Sequence, residues 1–441
     1  MALALRFALS NDVVVKAETD LTVNIPKTRF APGRKVKLIT KEDESFYLPF
    51  WYAKNVLNQP LSENWKIKFD PITFHGSLRD YQKDVYDQAI SKLQAENAVF
   101  LALHCGFGKT DLTIYLIATL RRPTLILYHL KNIKDQWVSR IKKYLGVDVG
   151  GVGDVIATCN NSKLGSYTRE ELSMYTLVVV DEAHALSTES GVVRWRLLSP
   201  AYIIGLSATP KRNDGFDAAL SLTFGPDYIR RPLYRNHTVL RGMTQWEYEI
   251  EYTTRGTRDW GKTLSQQSSN KDRNTLISKI VESLPPERNI LILCKRKTQA
   301  QSLHKLIPDS DLYIGSATGY SIKRVLVSSY SKSGVGFDAP HLDTLIVATD
   351  FVEGLEQYIG RIFRRFDSDP LVIDIVDGKD SVMRTHWSKR RKQYISLGAE
   401  VKDLWKTFPD LPRGPSDDEE QTHEPTNDSA PKVRPTIRFI G

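Results

Sequence analysis

Two tandem α/β domains on parallel sheets, behind a small N-terminal accessory domain and ahead of a flexible tail, form the architecture predicted by this sequence of 441 residues. Two observations predict it. Apolar β runs alternate with amphipathic stretches in two successive series, and the composition changes sharply on either side of them. Buried continuous strands alternating with helices imply a parallel sheet covered on both faces.

The first series contains Val99–Leu103, Thr124–Tyr128, Leu177–Val180 and Tyr202–Leu206. The pattern pauses around Gly225–Arg241, rich in Pro, Arg and Gly, and resumes with Asn289–Cys294, Val325–Ser329, Thr344–Ala348 and Leu371–Ile375. The expected domains are therefore 71–232 and 233–400. Residues 1–70 mix short β-like runs, among them DVVVKAETDLTVNIP, with many lysines and an aromatic cluster of Phe46, Tyr47, Phe50, Trp51 and Tyr52. They read as an accessory domain packed on the first α/β domain, or as a domain whose aromatics stack on bases. Residues 401–441 read as a flexible tail. Beyond Pro409 they are too rich in Pro, Asp and Glu to bury a core, and Thr436–Ile440 reads as a short docking segment for a protein partner.

A hydrophobic fraction of 41% supports real cores, and a net charge of +9 favours a polyanionic partner. The three cysteines, Cys105, Cys159 and Cys294, are far apart and include no CxxC pair, so neither a zinc site nor a disulfide framework is expected. The opening MALALRFALS is interrupted by Arg6 and does not read as a secretion signal. No apolar stretch approaches the roughly 20 residues that span a bilayer. A soluble, intracellular monomer is expected.

The sharpest local signal is Leu103-His104-Cys105-Gly106-Phe107-Gly108-Lys109-Thr110, between an apolar strand and the helical run Asp111–Leu120. Strand, glycine loop and helix together suit a phosphate. Gly106 and Gly108 let successive N–H groups face phosphate oxygens, and the helix N-terminus adds partial positive charge. Lys109 can reach the β and γ phosphates, and Thr110 can coordinate Mg²⁺. Leu103 stands where the GxxxxGK[ST] form has Gly. Downstream, Leu177–Val180 runs into Asp181-Glu182-Ala183-His184, which delivers two carboxylates to the carboxyl edge of a sheet. Asp181 can hold Mg²⁺, and Glu182 can orient and deprotonate a water.

With these residues in place, the stretch from about Leu78 to Arg365 resembles the superfamily 2 helicases. Leu78–Gln82 resembles their adenine-recognition motif, with Gln82 reading the base. The tetrad Asp181–His184 matches their DEAH form. Ser207-Ala208-Thr209 matches the motif that, with His184, links hydrolysis to nucleic-acid movement. Gly205–Gly215 resembles the branch that contains the phage UvsW helicase and proteins of large DNA viruses. In the second domain Gln357–Arg364 matches QxxGRxxR, which makes Arg361 and Arg364 cations on the γ-phosphate with Gln357 nearby. Guanidinium groups suit that role physically. Ser328–Pro340 resembles the fifth motif, with Gly336 touching nucleotide and Asp338 the ribose. Val335 and Ser329 depart from the usual Glu and Thr there.

The resemblance implies two RecA-like domains, ATP and Mg²⁺ as cofactors, and nucleic acid as partner, DNA ahead of RNA. It also implies strand contacts near Thr158, Lys131 and Lys295. Trp137, in the family element Gln136-Trp137, reads as core. The basic run Lys389–Lys392 beside Trp387 reads as a backbone grip or a solvated helix face. Three rivals to an unwinding helicase stay open: a translocase that never separates strands, the motor subunit of a nuclease, and a nucleotide-binding scaffold.

Overall fold

The computed structural model describes residues 2–5, 11–27, 32–42, 45–61, 66–209, 214–317, 319–333, 339–365 and 367–413. Thirteen of its strands form two parallel sheets. In the first lobe the order is β11-β6-β10-β9-β7-β8, from β6 (Ala98–Leu103), β7 (Thr124–Tyr128), β8 (Ile156–Asn160), β9 (Leu177–Val180), β10 (Tyr202–Ser207) and β11 (Ile229–Arg231). In the second it is β14-β15-β13-β16-β17-β12-β18, from β12 (His237–Thr244), β13 (Ile290–Cys294), β14 (Ser310–Tyr313), β15 (Val325–Ser329), β16 (Thr344–Val347), β17 (Leu371–Asp377) and β18 (Ala399–Asp403). β6, β9, β13, β16 and β17 are buried along their whole length, as strands covered on both faces must be.

The strands read from apolar runs are all present, within a residue or two at each end. Those not anticipated are the more polar ones. Ile229–Arg231 falls inside, and His237–Thr244 begins inside, the segment Gly225–Arg241 expected to be a linker. Instead β11 is an edge strand of the first sheet and β12 pairs with both β17 and β18, which leaves 232–236 as the connection. β18 also crosses residue 400. Leu404, Trp405 and Leu411 are buried in the second lobe, so residues 401–413 belong to the fold and not to a tail.

The N-terminal elements cover one side of the first lobe. β1 (Ala2–Leu5), β4 (Thr40–Glu42) and β5 (Ser45–Pro49) form a small antiparallel sheet, and β2 (Thr22–Ile25) pairs with β3 (Arg34–Lys37). Asn11–Asp20 forms helix α1, not a strand. Its apolar positions fit a helical period as well as an alternating one, and Ala17 and Leu21 share the buried face. Phe50 and Tyr52 are buried in a core shared with Phe100 and Phe224, and the Trp51 indole N–H donates to Glu96 (2.6 Å). These aromatics dock the accessory part on the first lobe; Phe50 and Tyr52 have no face left for bases.

Candidate functional site

The phosphate loop sits between β6 and helix α3 (Lys109–Leu120), with Gly106 at φ 87° and Gly108 at φ 88°. Only glycine adopts that backbone at little cost, so the loop depends on both. The Lys109 ammonium lies inside it and donates to Leu103 O (3.0 Å). Gln82, on helix α2 (Asp80–Glu96), is 3% exposed. It accepts from Arg79 N–H (2.9 Å) and donates to Phe107 O (3.1 Å) and Gly108 O (3.3 Å), which ties helix α2 to the loop backbone. The Tyr81 ring meets Phe107 edge-on at 5.0 Å.

β9 carries the acids to the same place. Asp181 is buried; one oxygen accepts from Trp137 Nε1 (2.8 Å), the other from the Glu182 N–H (2.8 Å). Burial, reinforced by the neighbouring Glu182 charge, pushes its carboxyl up to about 6. Glu182 holds a left-handed conformation at φ 48°, strained for a residue with a Cβ. Its Oε2 is buried, makes no hydrogen bond among the described residues and lies 3.4 Å from His184 Nδ1. His184 Nδ1 also meets Ser207 Oγ (2.8 Å), which accepts from the Thr209 N–H (3.0 Å). The three residues expected to couple hydrolysis to movement form one chain leading from Glu182.

The second lobe closes the cleft. Helix Leu355–Ile362 lies against the loop so closely that a Cβ at Gly360 would fall 2.9 Å from Cys105 Cβ. A Cβ at Gly106 would stand 3.3 Å from Arg364 Cγ. One cavity of about 560 Å³ is lined by Lys109, Thr110, Asp181 and Glu182 from the first lobe and by Gln357, Arg361 and Arg364 from the second. The structure thus gathers these seven sequence-predicted residues around one space. Gly336 and Asp338 lie outside the described residues. Thr158 is buried on β8 with its hydroxyl on Gly150 O (3.3 Å), whereas Lys131 and Lys295 are exposed. These last three do not meet the cleft lining.

In the basic run on helix Ser381–Ser396, Arg390 needs correction: it is neither grip nor solvated face. Arg390 is fully buried, with Nε and Nη2 on Asp374 (2.8 and 2.9 Å) and Nη1 on Asp350 (2.7 Å). Trp387 is buried too; only Lys389, Arg391 and Lys392 face out. The sequence pattern did not reveal the Trp137–Asp181 bond, the Arg140–Asp111 ion pair beside Thr110, or the residues 231–235 that line the cleft. Spacing held a partial signal: Trp137 and Arg140 fall three apart on helix α4 (Lys131–Leu145), one face of one helix.

Two lobes, each a parallel sheet, with a lysine and paired acids facing two arginines across a cleft, define a nucleotide-driven motor of two RecA-like domains. Residues 75–212 match the family model described as type III restriction enzyme, res subunit. The chain is 33% identical over 404 residues, 82% of its length and 90% of the relative's, to putative helicase 161L of Invertebrate iridescent virus 6. It is 24% identical over 397 residues, 77% of its length and 84% of the relative's, to transcript termination protein A18 of Fowlpox virus. Among solved structures, S. cerevisiae Dbp5 bound to RNA and ADP BeF3 matches in fold, with TM-score 0.53 and 14% identity over 74% of this chain and 91% of that one. The chain belongs to the superfamily 2 helicases, in their viral branch. It is an ATP-hydrolysing helicase or translocase of nucleic acid. No helix among the described residues is long and apolar enough to cross a membrane.

Proposed function

We propose that the chain binds Mg·ATP between its lobes and uses domain closure to drive movement along DNA. The observation that carries this reading is the single cleft shared by Lys109, Asp181, Glu182, Arg361 and Arg364. Thr110 and Asp181 offer hard oxygen donors suited to Mg²⁺, and the buried Asp181, its carboxyl raised by burial and by the neighbouring Glu182, is a group that a cation would relieve. The ion would neutralise developing charge on the phosphates. Lys109 leaves Leu103 O for the phosphates, Gln82 reads adenine, Gly336 touches the nucleotide and Asp338 the ribose. Glu182, already oriented with a bare buried oxygen, accepts the proton of the attacking water. Arg361 and Arg364, with Gln357, stabilise charge on the transferring phosphoryl group.

Closure favours the ATP state because only then do both lobes bind the nucleotide. The His184–Ser207–Thr209 chain passes the state of Glu182 to the strand-bearing face, where Thr158, Lys131 and Lys295 contact phosphates without reading sequence. The groups of this reading all stand on one chain, which supports action as a monomer. Residues 1–70 serve as the accessory part, and 71–232 and 233–413 as the motor domains.

Comparing ATPase stimulation by single-stranded, duplex and branched DNA and by RNA tests the track. Stimulation by DNA with none by RNA is expected, and the reverse contradicts it. Affinity should fall steeply with salt and show little sequence preference. A second reading has its own support in the likeness to the transcript termination protein: a translocase that displaces a bound complex without separating strands. A strand-displacement assay run beside the ATPase assay separates the two.

A further inference from the structure

The connection between the lobes holds the segment from which Arg364 projects. Arg235 stands within residues 232–236. Its Nη1 donates to Phe363 O (2.9 Å) and Arg365 O (2.8 Å), and its Nη2 donates to Ser368 O. The first two carbonyls flank Arg364 directly. Phe363 caps helix Leu355–Ile362, where carbonyls run out of helical partners and a cation is favoured by the helix dipole. A guanidinium fork can reach several such carbonyls at once; an ammonium cannot do so with the same geometry.

The far flank is held as well. Arg365 Nη1 lies on Asp343 Oδ2 (2.9 Å) and its Nε on Asp367 Oδ1 (3.0 Å). The Phe363 ring packs edge-on against His237 at 4.9 Å, at the start of β12. At the other end of the connection, Arg231 O accepts from the His104 N–H (3.1 Å) of the phosphate loop, and the Arg231 side chain pairs with Asp84. A short run of chain, from Arg231 to Arg235, therefore joins a bond to the loop holding Lys109 with a clamp on the segment holding Arg364.

We propose that Arg235 is a positioning residue for Arg364: the inter-lobe connection itself sets the pose of the arginine that meets the γ-phosphate. A change in the connection as the lobes close then moves loop and arginine together. This rests on the reading of Arg364 as a γ-phosphate cation, and single and double variants separate the two.

The test is steady-state ATPase of the full chain, with saturating single-stranded DNA, for Arg235→Met, Arg235→Lys, Arg364→Ala and the double variant Arg235→Met/Arg364→Ala. Misplacing a reacting group by about 1 Å can cost about 100-fold, so Arg235→Met should lower kcat by about 10- to 100-fold. KM for ATP should stay within about 3-fold, since binding energy is untouched. Arg235→Lys should fall between, and the double variant should be no slower than Arg364→Ala alone, because a misplaced group that is absent costs nothing more. A wild-type kcat in Arg235→Met overturns the proposal, as does a raised KM with unchanged kcat, which would make Arg235 a nucleotide ligand. Losses that multiply in the double variant overturn it too. A wild-type rate in Arg364→Ala overturns the reading beneath it. Should Arg235→Met fail to fold by thermal melting, the Arg235→Lys split between kcat and KM decides.

Discussion

The two lobes share one sheet plan and spend their buried charges differently. In the second lobe Arg273 is 0% exposed with Asp377 (3.2 Å), and Arg390 is 0% exposed between Asp374 and Asp350, joined by Tyr394 and Tyr248. Each charge of that network touches its opposite. In the first lobe the buried acid Asp181 accepts only from neutral donors among the described residues, and a buried oxygen of its neighbour Glu182 makes no hydrogen bond among them, with His184 Nδ1 at 3.4 Å. Satisfied ion networks rigidify, whereas a buried acid with a raised carboxyl in a cleft marks a candidate site of chemistry. The contrast separates buried charges that are scaffold from those that are chemistry.

The steepest loss breaks the chemical side. Lys109→Ala and Glu182→Gln should each lower ATP turnover by at least about 100-fold, the size of loss seen when one preorganised transition-state group is removed. Only Glu182→Gln should keep ATP binding, measured by equilibrium titration. Normal rates in either end the assignment. The scaffold side breaks differently. Arg390→Met leaves the buried Asp374 without a cation and Asp350 with His386 alone, and should cost about 3–5 kcal/mol in a denaturant melt. Arg364→Ala, in the cleft, should leave the melt within about 0.5 kcal/mol of wild type. Equal stability losses in the two would erase the distinction.

A smaller effect concerns Asp181. Its folded carboxyl is raised to about 6 from an ordinary 3.8, so ionisation costs stability as pH rises through that window, and the full cost is present above about 6. Asp181→Asn should therefore raise the unfolding free energy of the nucleotide-free protein at pH 8. The gain is about 1 kcal/mol, since an amide oxygen can accept from only one of the two N–H donors that Asp181 serves. The gain should vanish near pH 4. A gain that grows on acidification contradicts burial of an ionised carboxylate as its cause. Next, a bulky thiol reagent on Cys105 should block turnover, because Gly360 leaves no room beside its Cβ. Full activity after complete modification contradicts that packing. The mildest change is Ser207→Ala, which removes the His184 bond and should uncouple strand displacement from an ATPase rate within about 3-fold of wild type, as expected for a group outside the nucleotide contacts.

What was legible in the sequence was local. The phosphate loop and the strand ending in Asp181 and Glu182 each occupy a short stretch whose residue types carry both structure and chemistry. Apolar strands such as β9 and β13 announced themselves because both faces are covered. β12 did not, since His237, Arg241 and Gly242 interrupt its apolar pattern, and its burial comes from β17, β18 and Leu404, far along the chain. Asn11–Asp20 misled because three consecutive valines fit either period. Arg390 looked like surface because the Asp374 and Asp350 that neutralise it are 16 and 40 residues away. Trp137 was expected in the core, and there it is, but its bond to Asp181 spans 44 residues and only the fold reveals it. Arg235 was hidden for the same reason.

The proposed mechanism requires one nucleotide to be completed by groups from both lobes. Single-turnover hydrolysis by Arg361→Ala/Arg364→Ala, with saturating Mg·ATP and single-stranded DNA, is the decisive measurement. The expected rate is at least about 1000-fold below wild type, the scale at which an arginine finger acts, with ATP affinity changed only a few-fold. A rate within about 3-fold of wild type would show that the first lobe hydrolyses ATP unaided, and would refute completion across the cleft.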